Sequence, residues 1–511
     1  MINTLTLHSR PEAYVESLKE YAQKNLKLIL SLLALNIIAY FIFIAHHPLH
    51  NHGFRMPWIP LNDQFQHGRW MNLIILRLMG GADIPVLPPM IAISLSILSG
   101  LVFLDILKAK LTQLEAFLVI GVFTTCPIFL AFFYYTYSTV MFMSAVLFAV
   151  TGIAVCKKLS FAPIFLGAIA FLMMMGSYQP AVSLFATLLV SSAIIELIKA
   201  EKFDWWKWIQ LPLSRVIAAA LGSILYLISL RITGAKSHAT KMIDFADLPT
   251  RIVQVTKASF EQFILTQPDF RQGLNTLLLV VILAVFIQTL IATRKSLTKT
   301  LLLLICWFGL VVATKAMYFI SATTIFYEYR YNPGLPFFYA FMICLGFVVF
   351  KFKFFRATFI LVSGIMLANF VHADLLRQEI LFRGQQHDLA LASRVLSRIE
   401  ALPDIDFNKT YDLVRVGRYP DFRRKIFRSR GHTWDVAGDT HMDNAQITAL
   451  WADEDVFILL GSRIKFKHRG MDPQFKAKIA YAKENLLQDR LPWPHTSSVF
   501  IHDEKIIVYM N

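Results

Sequence analysis

Long apolar runs recur along this chain from Lys27 to Asp374 and then stop. A hydrocarbon core takes about 20 helical residues to cross. Runs near that length lie at 27–45, 86–106, 116–134, 138–156, 162–177, 181–199, 214–231, 273–292, 301–320, 334–350 and 357–373. The pattern predicts a polytopic α-helical membrane domain, residues 1–373, with about eleven transmembrane helices, followed by a small soluble α+β domain, residues 374–511. Within that tail, helices are expected over 390–402 and 473–487 and strand-like pieces at 411–416 and 456–460. A terminal hairpin should turn at Asp503-Glu504, between 498–502 and 505–510.

The segments between the runs set the topology. With the N-terminus in the cytoplasm, the inner loops carry Lys108, Lys110, Lys157, Lys158, Lys202, Lys207, Arg294, Lys295, Lys299, Lys351, Lys353 and Arg356, as the positive-inside rule expects. An odd number of spans then puts the tail on the other side, which for a bacterial inner membrane is the periplasm. Two outer loops, 46–85 and 232–272, are long, and each holds an amphipathic stretch that reads as an interfacial helix. The first, Trp70–Leu78, is too short to span; the second, 248–266, has Arg251, Lys257 and Glu261 on its polar side. The tryptophans of 205–208 make an aromatic anchor at the inner interface. A mixed-charge amphipathic stretch, Pro11 to Asn25, precedes the first apolar run, so that run is expected to stay as an anchor rather than be cleaved.

Composition agrees with the bilayer as solvent: 56% of residues are hydrophobic and 16% charged. A net charge of +16 suits a nucleic-acid partner only if it is gathered on a folded surface. Here the tail holds 21 Lys and Arg against 19 Asp and Glu, so the excess sits in the loops of the membrane part and no nucleic acid is implied. Cys126, Cys156, Cys306 and Cys344 fall in or at the ends of apolar helices and read as packing residues. No phosphate-binding glycine loop, dinucleotide fingerprint or nucleophile elbow lies in a strand-to-helix context.

Chemistry is therefore sought in the outer loops. Asp63 is the one carboxylate between Glu20 and Asp83 and lies just ahead of the first interfacial helix. It reads equally well as a general base and as a helix N-cap. Ser177-Tyr178-Gln179-Pro180-Ala181 is a tight outer turn whose Tyr and Gln offer hydrogen-bonding groups to a sugar, although Tyr178 also fits an interface-belt aromatic. Gln64 and Glu328 join them as candidates for sugar or acceptor binding. Lys315 lies about one turn from the outer end of an apolar run, and the following loop brings Tyr327-Glu328-Tyr329-Arg330-Tyr331-Asn332-Pro333. Lys315 and Arg330 suit a lipid phosphate, one as a point charge and the other as a bidentate fork; snorkelling to the interface is the alternative for Lys315. Arg69 and Arg231 are further outward cations able to meet a phosphate, as are Lys241 and Arg271. His46, His47, His50, His52 and His67 cluster in sequence, but no carboxylate is interleaved with the first four, and a divalent metal is not indicated.

Asn62-Asp63-Gln64 with Gly68-Arg69, the Ser177–Ala181 turn and the tail opening Gln386-His387-Asp388-Leu389-Ala390-Leu391-Ala392-Ser393-Arg394 occur in this order on this topology. The arrangement resembles the bacteriophage-type, serotype-converting O-antigen glucosyltransferases of the glucosyltransferase II family, membrane enzymes of the GT-C class. Such enzymes commonly carry an acidic pair in the first outer loop, whereas here Asp63 stands between Asn62 and Gln64, which leaves it to act alone without metal assistance. The resemblance implies a polyprenyl-phosphate sugar donor, undecaprenyl-phosphate glucose, and an O-antigen hydroxyl as acceptor. It also implies a functional link to a polyprenyl-phosphate glucosyltransferase and a flippase. One base and a phosphate leaving group suit a single in-line displacement with inversion. A lipid-linked oligosaccharide transporter or flippase is the competing reading; it predicts inverted repeats or broken midplane helices, which the sequence lacks.

Overall fold

The computed structural model describes residues 20, 23–46, 67–79, 86–134, 138–200, 203–235, 243–264, 272–321, 325, 331–417, 453–467 and 474–510. Fifteen helices precede the first strand among these residues. They are α1 Leu26–Ala39, α2 Phe41–His46, α3 Trp70–Leu78, α4 Leu87–Leu107, α5 Gln113–Thr124, α6 Pro127–Phe133, α7 Thr139–Val155, α8 Phe161–Ser177, α9 Ala181–Lys199, α10 Trp205–Thr233, α11 Leu248–Ile264, α12 Gln272–Thr293, α13 Leu297–Ala313, α14 Gly334–Val349 and α15 Lys353–Glu400. Each of the eleven apolar runs falls on helix. Five helices are long and apolar enough to cross a membrane, or six if the bent pair α5 and α6 is one span; α1, α7, α8, α13 and α14 are apolar but shorter, at 10–17 residues.

The apolar surface is arranged for lipid. On α12, Val280, Leu283, Ile287 and Ile291 form an i, i+3, i+7, i+11 stripe that faces outward, and Val216, Ile217, Ile224 and Ile228 are exposed on α10. A soluble domain would turn such stripes inward. Helix α14, whose side chains are almost all buried, packs against α5, α9 and α12. At one end of this bundle basic side chains close helix C-termini: Lys199 Nζ donates to the carbonyls of Leu107 (2.8 Å) and Lys108 (2.6 Å), and Lys299 Nζ to that of Ala200 (2.7 Å). At the same end Thr112 and Glu115 form a capping box for α5, and Arg356 donates to the buried Glu115 carboxylate. The expected continuous span over 116–134 is instead bent by 52° between α5 and α6. Pro127 has no N–H to continue the helix and turns the preceding residue away from helical geometry.

The chain divides into two compact units, with Leu376 in the first and Arg377–Asn511 in the second. One 48-residue helix, α15, covers both the expected last span and the expected tail helix at 390–402. The intervening sequence, Asp374 to Leu389, contains no proline and one glycine, so nothing stops the helix.

The second unit holds a four-stranded sheet of order β2-β1-β4-β3, from β1 Thr410–Val416, β2 Lys465–Phe466, β3 Val499–His502 and β4 Lys505–Tyr509, with α16 Asp453–Leu459 and α17 Phe475–Asn485. β1 runs parallel to β2 and β4, and β3 and β4 form the expected hairpin. Its two-residue turn has φ of +46° at Asp503 and +57° at Glu504, the doubly left-handed geometry that matches strand twist. Leu413, Ile506 and Val508 pack one face against Val395 and Ile399 of α15, while Val414, Val416 and Ile507 pack the other against Ala482 of α17. The segment expected as a strand at 456–460 is helix α16. Asp453-Glu454-Asp455 places acidic residues in its first turn, where the helix dipole favours them, and it buries Val456 and Phe457 while exposing Ile458 and Leu459.

Candidate functional site

The tight turn between α8 and α9 is the hub of the first cluster. Gln179, buried, spends both amide protons: Nε2 donates to the His67 carbonyl (2.8 Å) and to the Tyr226 hydroxyl (2.9 Å). Tyr226 in turn donates to the Gly68 carbonyl (3.3 Å), and Arg69 Nε reaches Gln179 Oε1 at 3.4 Å. The Arg69 guanidinium lies 5.4 Å from the centre of the Tyr178 ring. That ring is buried, with Phe142 and Phe132 at 4.5 and 5.5 Å, which does not suit an interface-belt aromatic. Gly68 has φ +69°, a left-handed turn that reverses the chain into α3.

Trp70 opens α3 with Nε1 donating to Ser229 (3.1 Å). Its indole occupies the space that Gly176 leaves, since a Cβ there would lie 2.6 Å from Cε2. Met71 and Ile75 of α3 pack on Val140 and Met141 of α7, while Ile74 and Leu78 stay exposed. One face of α3 thus packs on protein while the other carries exposed apolar side chains. The N-cap of α3 is Arg69, whose side chain makes no cap bond. Asp63 and Gln64 themselves lie outside the described residues, as do Glu328, Arg330, Lys241 and Arg271.

Lys315 anchors a second cluster. It stands past the end of α13, at the break before a 3-10 turn over Ala316–Phe319, rather than inside the apolar helix as expected. Its side chain is fully buried, so it does not snorkel; Nζ donates to Asn332 Oδ1 (2.8 Å) and lies 5.8 Å from the Tyr318 ring centre. Asn332 immediately precedes the N-terminal turn of α14, where helix amides favour negative charge. Gly334 permits that helix to approach closely, since a Cβ would meet Thr187 Oγ1 at 2.8 Å and the Ser183 carbonyl at 3.0 Å.

Helix α11 clasps this second cluster. Arg251 donates to the carbonyls of Tyr318 (2.9 Å) and Ser321 (3.0 Å), and Gln262 to Thr314 Oγ1 (2.7 Å). Arg251 thus belongs to the packed side, with Val255, Ala258 and Gln262, and not to the outward polar side expected for it. Lys257 and Glu261 pair with each other at 3.6 Å. The first turn of α9 joins both clusters, because Ser183 Oγ accepts from the Met317 amide (3.0 Å) and Gln179 lies two residues before that helix.

Arg231 is exposed in the last turn of α10. Five residues beyond Tyr226, it points about 140° away from the first cluster. Among the described residues no three His, Cys, Asp or Glu gather as a metal site, and His46 stacks on Phe382 at 4.4 Å. Sequence reasoning gave no role to Tyr226, Ser229, Ser183, Asn332 or Gln262, of which only Asn332 stood in a motif it singled out. The first three stand as polar residues in apolar helices, the signal that would have marked them.

No curated protein and no solved structure matches the chain. Residues 58–368 match the family described as Glucosyl transferase GtrII, a stretch that carries both clusters and more than half of the sequence. The chain therefore belongs to the GtrII glucosyltransferase family and is a membrane glycosyltransferase.

Proposed function

We propose that this protein transfers glucose from undecaprenyl-phosphate glucose to an O-antigen or related cell-surface glycan on the periplasmic face of the bacterial inner membrane. The observation that carries the donor class is Lys315, a buried lysine whose Nζ donates to Asn332 Oδ1 beside the start of α14. Such a site is prepared for an anion that leaves, and a lipid phosphate is the anion that a membrane enzyme meets there.

In this reading Asp63 accepts the proton of an acceptor hydroxyl as that oxygen attacks the anomeric carbon. The bond from that carbon to the phosphate oxygen breaks on the opposite side, giving inversion, and the electron pair leaves with the lipid phosphate. Lys315, Arg330 and Arg69 compensate the new charge. Tyr178, Gln64 and Glu328 are the candidates for holding sugar or acceptor. Eleven apolar helices, counting α5 and α6 as one, support an odd number of spans. On that count the outer loops and the tail share one compartment.

The test is the structure of O-antigen from cells with and without the gene. Added hexose that disappears in cells carrying Asp63→Asn is the expected result; unaltered glycan with altered export favours a transporter instead.

A further inference from the structure

We propose that Gln262 of α11, assisted by Arg251, is a positioning residue for Lys315, an inference that rests on the reading of Lys315 as the group that meets the donor phosphate. Lys315 stands where the chain leaves α-helical geometry, between the end of α13 at Ala313 and a 3-10 turn that starts at Ala316. Hydrogen bonds in a 3-10 turn are poorer than those of an α-helix, so contacts from outside decide where its side chains lie.

Thr314, the residue before Lys315, is held through its hydroxyl. The one hydroxyl proton goes to the Val311 carbonyl (2.7 Å), so Oγ1 can only accept from elsewhere, and Gln262 Nε2 supplies that bond at 2.7 Å. Both residues are buried, where loss of a donor carries its full desolvation cost. On its other side Thr314 abuts α14, since a Cβ on Gly334 would meet Thr314 Cα at 3.0 Å. Asn332, the acceptor for Lys315 Nζ, lies two residues before that glycine. The seat of Thr314 therefore sets the spacing between Lys315 and its acceptor.

The far side of the break is held by the same helix. Arg251 donates to the carbonyls of Tyr318 and Ser321, while Val255 packs on Met317 and Tyr318. Arg251 and Gln262 are eleven residues apart, about three turns, which puts them on one face of α11. A single rigid element thus grips the chain immediately before Lys315 and again three residues after it. Lys257 is exposed and pairs with Glu261 instead, so it takes no part in the grip. A displacement of about 1 Å in a reacting geometry costs on the order of 100-fold in rate, and Gln262 is the nearer of the two holds.

The experiment uses the full chain in lipid nanodiscs with undecaprenyl-phosphate glucose and a glycan acceptor. Gln262→Met keeps a long unbranched side chain and removes the donor. It should lower kcat by about 5- to 30-fold with acceptor KM changed less than about 2-fold. Thr314→Val, which removes the accepting oxygen, carries the same test if Gln262→Met reduces folded protein. In a Lys315→Met background either substitution should cost less than about a further 2-fold, because it acts through that lysine. Losses that multiply in full overturn the positioning role. Lys257→Ala should leave turnover within about 2-fold, and a loss there equal to that of Gln262→Met overturns it too.

Full turnover by Lys315→Met alone overturns the reading of Lys315. Amide exchange over 314–321 separates the two failures: it accelerates in Gln262→Met and Arg251→Ala if α11 holds the break, and unaltered exchange refutes that hold whatever Lys315 does.

Discussion

Replacing Lys315 with methionine sets activity against stability. The substitution keeps an unbranched side chain, one atom shorter, and removes its amino group. A charge-assisted hydrogen bond to a leaving phosphate contributes about 1.5–3 kcal/mol, which at about 1.4 kcal/mol per decade lowers turnover by roughly 10- to 150-fold. Stability falls by less: Asn332 Oδ1 loses one donor, at a cost of about 1–3 kcal/mol. Turnover of lipid-linked donor by detergent-free protein, measured beside thermal unfolding, checks both signs. A Lys315→Met protein that keeps more than half of wild-type turnover, or loses it only in proportion to folded protein, refutes the leaving-group role.

Arg251→Ala removes the two hydrogen bonds that α11 gives the Tyr318 and Ser321 carbonyls, and turnover should fall by about 5- to 30-fold, at roughly 1–2 kcal/mol; steady-state kinetics in membranes measures it. Gly222→Ala brings a Cβ to 2.7 Å from the Ala168 carbonyl, where backbone cannot yield, and should destabilise the packing of α8 on α10 by about 1–3 kcal/mol in a thermal melt. Arg356→Ala strands the buried Glu115 carboxylate and should cost about 2 kcal/mol, because Arg356 is itself about a third exposed. Adding Glu115→Gln should recover part of that loss, whereas equal melts for the single and double variants would contradict the pairing.

The apolar helices were legible because the bilayer demands long uninterrupted runs, and α3 was legible because Trp70–Leu78 is apolar yet too short to cross. The hairpin at Asp503-Glu504 was legible from two β-rich runs around a two-residue polar gap. Helix α16 was misread because five consecutive apolar residues, 456–460, have no period, and only the acidic triplet before them marks a helix start. The unbroken α15 was missed for a related reason: a change from apolar to polar composition looks like a boundary, but the backbone has no reason to stop there.

The site was half legible. Lys315 stands out as a lone cation in an apolar run, but its partner Asn332 is 17 residues away and follows a loop. Gln179 draws notice at its turn, yet its role depends on Tyr226, 47 residues on, and on His67, 112 residues back. Contacts of that range leave no local signature. Arg251 was assigned to the outward side because charge usually marks the wet face of a helix; here the carbonyls of the Tyr318 and Ser321 segment supply the polar surroundings that let it pack inward.

Reconstituted glycosyl transfer tests the account most directly. Purified protein in lipid nanodiscs, given undecaprenyl-phosphate glucose labelled in the sugar and an O-antigen acceptor, should move label to the glycan with inverted anomeric configuration. Asp63→Ala should abolish that transfer without altering donor binding. Transfer from a nucleotide sugar but not from the lipid-linked donor, or full transfer by the Asp63→Ala protein, would contradict it.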